Sequence, residues 1–177
     1  MSAAPAAREA SGCVGYRAAR PEDGRALRRL VHAAGTLEAN TGYAYVLLAD
    51  HFRATTLLAE RGGAPVGFVA AYRPPTHPDA VFVWQVGVAP GARGLGVARG
   101  LLDALVAAPG CAGVRFLEAT VAPSNEASRR LFESFARRRG APVAWSDGYP
   151  EPLFDGPHEA ERLIRIGPLA AGAESDL

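Results

Sequence analysis

FVWQVGVAPGARGLGVARGLL, residues 82–102, decides the fold: an apolar strand runs into a glycine-rich turn and then into an amphipathic helix. Gly94 and Gly96 let the backbone fold tightly and turn several N–H groups inward, and the helix that follows adds its positive N-terminal end. The result is a cradle for a diphosphate, to which Arg93 adds a charge-assisted hydrogen bond. Two other phosphate loops fit poorly. The dinucleotide fingerprint GxGxxG needs a third glycine where Arg99 stands, with Gly100 one position late. The Walker loop needs a lysine, and the chain contains none.

Outward from that stretch, hydrophobic periodicity and turn residues predict the remaining elements. A strand at 14–18 precedes a helix opened by Pro21, running to Val31 with Leu27, Leu30 and Val31 on one face and ended by Gly35. Residues 36–45, TLEANTGYAY, read as a polar, turn-rich loop before a short apolar helix reaching about Phe52. Strands are predicted at 55–60, 65–72 and 81–88, the first two joined by a hairpin turn at Arg61-Gly62-Gly63. Val97, Leu101, Leu102 and Leu105 form one stripe of the helix after the glycine turn. A strand at 115–121 follows, then a helix capped by Ser124 or Asn125 that buries Ala127, Leu131, Phe132 and Phe135. Its Arg137-Arg138-Arg139-Gly140 end places cations at the negative helix terminus before a stopping glycine. Strands at 142–145 and 162–166 complete an α/β layer.

Composition narrows the function. At 177 residues, 49% hydrophobic and 21% charged, the chain has the size and balance of one globular domain. Nineteen basic residues, all arginine, against 18 acidic ones leave a net charge of +1, which argues against a nucleic-acid partner. The two cysteines, Cys13 and Cys111, lack neighbours at metal-ligand spacing, so neither a disulfide framework nor a metal site is expected. Without a signal-type segment or a membrane-length apolar run, the expectation is a cytoplasmic protein with no membrane partner. Residues 1–13 and 170–177 are expected to be disordered tails around one domain at 14–169.

Arg93-x-x-Gly96-x-Ala98 resembles the pyrophosphate motif of the GCN5-related N-acetyltransferases, and the order of predicted elements matches that family over 14–169. The resemblance implies a single-domain α/β fold, a mixed central sheet with a splayed strand pair flanked by helices, and acetyl-CoA as cosubstrate. It implies that Arg93, Gly94, Leu95, Gly96, Val97 and Ala98 hold the pyrophosphate, and that Val86 and Val88 offer unpaired backbone groups to the pantetheine arm and thioester. Val86 N–H is the first choice for stabilising the oxyanion. Asn125 and Ser128 fall where the family holds the pantetheine arm, although Asn125 alone equally reads as a helix cap. Many members carry a tyrosine that protonates the leaving thiolate where this chain has Phe132, so the acid is unassigned.

Four further segments, TLEANTGYAYVLLADHF, FVWQVGV, LEATVAPSNEASRRLFESFARRRGAP and PLFDGPHEAERLIRIGPL, resemble the diaminobutyrate acetyltransferases. That resemblance implies acetyl transfer to the 4-amino group of L-2,4-diaminobutyrate, giving the acetylated precursor of the compatible solute ectoine, by a homodimer without a metal. It also implies a substrate pocket of Glu38, Asn40, Tyr43, Tyr45, Trp84, His158 and Glu161. By strand alternation Trp84 shares the face of Val86, where its ring can meet an ammonium group or fill the core. Glu118, mid-strand among apolar residues, is a candidate general base or a structural partner for an arginine. Direct attack from a ternary complex is preferred to a cysteine-linked intermediate. The alternatives are acetylation of another small amine, such as ornithine, lysine or a polyamine, and a catalytically silent acetyl-CoA-binding module.

Overall fold

The computed structural model describes residues 12–35 and 37–170, so of the tails expected at 1–13 and 170–177, residues 1–11 and 171–177 lie outside the described residues. In chain order the elements are β1 (Val14–Ala18), α1 (Gly24–Ala34), α2 (Gly42–Asp50), β2 (Thr56–Arg61), β3 (Ala64–Tyr72) and β4 (Ala80–Val88). They continue with α3 (Val97–Ala107), β5 (Phe116–Val121), α4 (Glu126–Arg139), β6 (Val143–Tyr149) and β7 (Glu161–Ile166). One seven-stranded sheet runs β1-β2-β3-β4-β5-β7-β6, antiparallel throughout except for the parallel pair β4–β5. The predicted meander is present, and Gly62 and Gly63 close its hairpin with φ of 58° and 78°, the left-handed pair that a two-residue turn requires.

Strand alternation sorts side chains onto two cores. Leu58, Phe68 and Ala70 face α1 and α2, where they meet Leu27, Leu30, Val31, Tyr45 and Leu48. Leu57, Ala59, Val69 and Ala71 face α3 and α4 on the other side of the sheet. The predicted α3 stripe of Val97, Leu101, Leu102 and Leu105 is buried in full, each leucine contributing roughly 1.5–3 kcal/mol of apolar burial. Asp103 on α3 ties the two helices of that face together through Arg138 at 3.3 Å and Arg139 at 3.1 Å.

Several boundaries differ from the sequence reading. Pro21 opens a 3₁₀ turn over Pro21–Asp23, and α1 proper runs on to Ala34 before Gly35 stops it at φ 71°. The polar segment predicted as a loop to Tyr45 ends early, because Thr41 Oγ1 accepts the Ala44 N–H at 3.3 Å and starts α2 at Gly42. On α4, Phe132 and Phe135 are buried as expected, but Ala136 is the third buried residue, while Ala127 is exposed and Leu131 half-buried. β6 is longer than predicted, and β7 inserts between it and β5.

The placement of β4 matters most. It pairs with β5 only from Ala80↔Phe116 to Val83↔Ala119, so residues 84–88 continue without a partner on that side. On the other side, the register with β3 slips between Ala71↔Val83 and Ala70↔Gln85, which leaves Trp84 as the extra residue of a β-bulge. Val81 and Val83 pack toward α3 and α4, and so do Val86 and Val88, so the alternation changes phase at Trp84. The expectation that Trp84 shares a face with Val86 by periodicity therefore fails, because the bulge resets the two-residue period.

Candidate active site

The splay of β4 from β5 exposes backbone groups in a defined direction. The Ala89 N–H donates to the Val66 carbonyl at 2.8 Å, and ladder alternation then turns Gly87 and Gln85 toward β3 as well. The N–H and C=O groups of Val86 and Val88 are left facing the gap. At the end of β4 the glycine turn has the geometry its sequence predicts, with Gly94 at φ 76° and Gly96 at φ 77°. Gly96 is the N-cap of α3 and supplies no side-chain cap, so the first-turn N–H groups beginning at Val97 remain available to an anion. Leu95 is exposed on this loop and Ala98 is half-buried. Arg93 is partly engaged elsewhere, since its Nη2 donates to the Ala34 carbonyl at the end of α1 at 2.8 Å. These features fit an acyl-CoA: a backbone cradle for the pyrophosphate and an open strand edge for the pantetheine amides.

A cavity of about 1250 Å³ opens where the gap meets the α1–α2 connection and the segment before β7. Of the predicted substrate residues, Glu38, Asn40, Trp84, His158 and Glu161 line it together, with Val86, Asn125, Ser128 and Phe132 on the coenzyme side. The two tyrosines are not in its wall. Tyr43 is 71% exposed on α2, and Tyr45 is fully buried, its hydroxyl accepting the Asn40 N–H at 3.0 Å. Tyr45 thus pins the loop that carries Glu38 and Asn40.

Glu118 also lies outside the cavity. It is 4% exposed, directly opposite Arg165 in the β5–β7 register, and its Oε1 accepts from Arg165 Nη1. Arg165 in turn stacks over the Phe116 ring at 3.8 Å and reaches Asp79 at 3.9 Å. Of the two readings of this carboxylate, the geometry matches the structural partner of an arginine. Oε1 is committed to Arg165, whose guanidinium is itself held by Phe116 and Asp79, while Oε2 has no hydrogen-bond partner among the described residues.

The wall contains residues the sequence reading missed. Glu126, Glu151 and Glu159 join the predicted Glu38 and Glu161, so five carboxylates line a cavity with no arginine among its described lining residues. Glu159 Oε2 accepts the Ser124 N–H at 3.1 Å and thereby braces the start of α4. The acidic run HEAE was a signal for it; its approach to Ser124 was not. His158 stacks on Phe154 with ring centroids 3.9 Å apart, and its Nδ1 donates to the Glu159 carbonyl at 2.6 Å. Since a carbonyl can only accept, Nδ1 carries a proton, and Nε2 has no hydrogen-bond partner among the described residues. Burial pushes the Glu161 carboxyl above its ordinary value; the Thr120 hydroxyl and His158 oppose the shift, and Glu159 and Glu38 reinforce it. Asn125 caps α4 by accepting the Ser128 N–H at 3.1 Å.

A glycine-capped helix start beside a splayed parallel strand pair, opening into an acidic cavity, defines an acyl-CoA-dependent N-acetyltransferase, and the chain belongs to the acetyltransferase (GNAT) family, whose profile matches residues 13–136. Within that family it is similar to L-2,4-diaminobutyric acid acetyltransferases. It is 44% identical to that of Halalkalibacterium halodurans over 149 residues, covering 84% of this chain and 78% of the relative. The Streptomyces coelicolor protein is 44% identical over 156 residues, with 86% and 92% covered. Among solved structures, the diaminobutyrate acetyltransferase EctA from Paenibacillus lautus, in complex with its substrate L-2,4-diaminobutyric acid and coenzyme A, superposes with a TM-score of 0.86 at 43% identity, covering 89% of this chain and 96% of that one. Ard1 from Thermoplasma volcanium shares the fold, with a TM-score of 0.68 at 18% identity over 87% and 97% of the two chains.

Proposed function

We propose that this chain transfers acetyl from acetyl-CoA to the 4-amino group of L-2,4-diaminobutyrate. The observation that carries the reading is the convergence of the open β4 edge with a carboxylate-lined cavity that has no arginine among its described lining residues, a setting for the two ammonium groups of a small diamino acid. The relatives and the Paenibacillus lautus complex support the same substrate. The reading includes an acetyltransferase domain at 14–169, a cytoplasmic homodimer, and a product that serves as the precursor of ectoine in osmoprotection.

Acetyl-CoA supplies the activated thioester carbonyl. The backbone N–H groups around Gly94, Leu95, Gly96, Val97 and Ala98 hold its pyrophosphate, with Arg93 contributing its remaining donors. Val86 N–H, with Val88 beyond it, faces the gap and donates to the carbonyl oxygen as negative charge develops there. Asn125 and Ser128, at the start of α4, border the arm of the coenzyme. Glu38 and Glu161 attract the ammonium groups of the substrate, Trp84 offers its ring face, and Asn40 offers amide donors to the carboxylate end.

Attack requires a neutral amine, so a proton must leave the 4-ammonium. Glu161 accepts it more readily than an ordinary carboxylate because burial already disfavours its charged form. His158, when neutral with its proton on Nδ1, offers Nε2 as a further acceptor. Glu118, paired with Arg165, takes no part in this route.

The test is thiol release from acetyl-CoA with diaminobutyrate, ornithine, lysine and spermidine side by side, with fragmentation mass spectrometry of the product. Strong preference for diaminobutyrate and acetylation at the 4-amino group is expected. Comparable turnover of the longer amines would instead indicate a broader small-amine enzyme. Coenzyme binding without amine-dependent thiol release would indicate a silent module.

A further inference from the structure

Gln85 is a buried amide in an otherwise apolar strand, and nothing in the chemistry above uses it. It is 6% exposed, yet it borders the cavity between Trp84 and Val86. The bulge at Trp84 is what turns it toward the α1–α2 side of the sheet, opposite Ala70. There its Nε2 donates to the main-chain carbonyl of Glu38 at 2.9 Å, while its Oε1 has no partner among the described residues. A buried acceptor left unpaired is a liability to folding, and an apolar side chain of the same volume avoids it. The residue therefore makes sense through what its N–H holds.

The segment it holds is the connection that carries Glu38 and Asn40 to the cavity. That connection is fastened at two points by buried polar groups, Gln85 under Glu38 and the Tyr45 hydroxyl under Asn40. The first point belongs to β4 itself, one residue before Val86. We infer that Gln85 is a positioning residue for diamine recognition, setting the Glu38 carboxylate at a fixed height above the strand whose backbone faces the thioester. The inference rests on the diaminobutyrate reading above.

The test compares wild type, Gln85→Met, Glu38→Ala and the double variant by initial rates with each substrate varied, alongside thermal unfolding. Gln85→Met is expected to raise the KM for diaminobutyrate several-fold to about tenfold, the reach of one lost hydrogen bond. The KM for acetyl-CoA and the Tm should stay at wild-type values. Because Gln85 acts through the Glu38 segment, Glu38→Ala should cost less in the Gln85→Met background than alone. Gln85→Glu keeps the shape but donates to the carbonyl only when protonated, so its excess KM over wild type should shrink as the pH is lowered. That variant also serves as the test if Gln85→Met fails to fold. An unchanged diamine KM in a folded variant, equal rises in both KM values, or full additivity with Glu38→Ala would overturn the inference. Failure of wild type to turn over diaminobutyrate would strike the substrate assignment instead.

Discussion

Gly87 lies between Val86 and Val88, and a β-carbon built there meets Phe68 Cε1 at 2.7 Å and Leu37 Cδ1 at 3.0 Å. Carbon atoms rest at about 3.5–4.0 Å, so an alanine demands roughly 0.8–1.3 Å of movement at Phe68 and roughly 0.5–1 Å at Leu37. Phe68 is fully buried and stands directly opposite Gly87 in the β3–β4 register, so it has little room to retreat. Leu37 is half-buried and immediately precedes Glu38, so it yields first. Overpacking of this kind costs about 1–3 kcal/mol. For a domain of this length each kcal/mol is worth roughly 2–4 °C, so Gly87→Ala should lower the Tm by roughly 4–8 °C at a mid-range cost of about 2 kcal/mol. The displaced Leu37 carries Glu38 with it, so the KM for diaminobutyrate should rise more than the KM for acetyl-CoA. Thermal unfolding and two-substrate initial rates measure both effects. A variant with wild-type Tm and wild-type KM values would refute the claim that this glycine keeps the substrate segment seated on β4.

Glu161→Gln should abolish or greatly slow acetyl transfer while raising the Tm at pH 7. Burial raises the folded-state value of this carboxyl, so the folded protein binds the extra proton more readily than the unfolded chain and stability falls as pH rises through that window; the amide removes the loss, and the Tm gain should vanish below about pH 4.3, where both states are protonated. Asn125→Ala should cost about 1 kcal/mol of stability through loss of the cap on Ser128 and also weaken acetyl-CoA binding, whereas Asn125→Ser, an equally good cap, should restore the Tm without restoring coenzyme affinity. Ellman titration of the native protein should find Cys13 promptly and Cys111 only on unfolding, since Cys13 is exposed whereas Cys111 is buried with its thiol pushed up to about 11.

What was legible in the sequence was local. The glycine turn, the α3 stripe, the Gly62-Gly63 hairpin and the Asn125 cap are each written within a few residues, because backbone freedom, period and capping are properties of short segments. The acidic wall was half legible: Glu38 and Glu161 came from a resemblance, while Glu159 and Glu151 look like ordinary surface carboxylates until the chain before β7 folds over the gap. Gln85 carried a signal, an amide within FVWQVGV, but its partner is a carbonyl 47 positions away.

The sequence by itself determined the family, through resemblance, and the order of the elements and the glycine turn, since turns, caps and periods follow from contacts between near neighbours. Only the tertiary structure decided that Trp84 sits in a bulge, that Tyr45 is a buried pin rather than a pocket wall, and that Glu118 pairs with Arg165. Each of these depends on register across strands distant in sequence, and a single-residue slip reverses which face a side chain takes. Insertion of β7 between β5 and β6 brings Arg165 opposite Glu118 and sets His158, Glu159 and Glu161 at the mouth of the gap, a juxtaposition that no local pattern encodes.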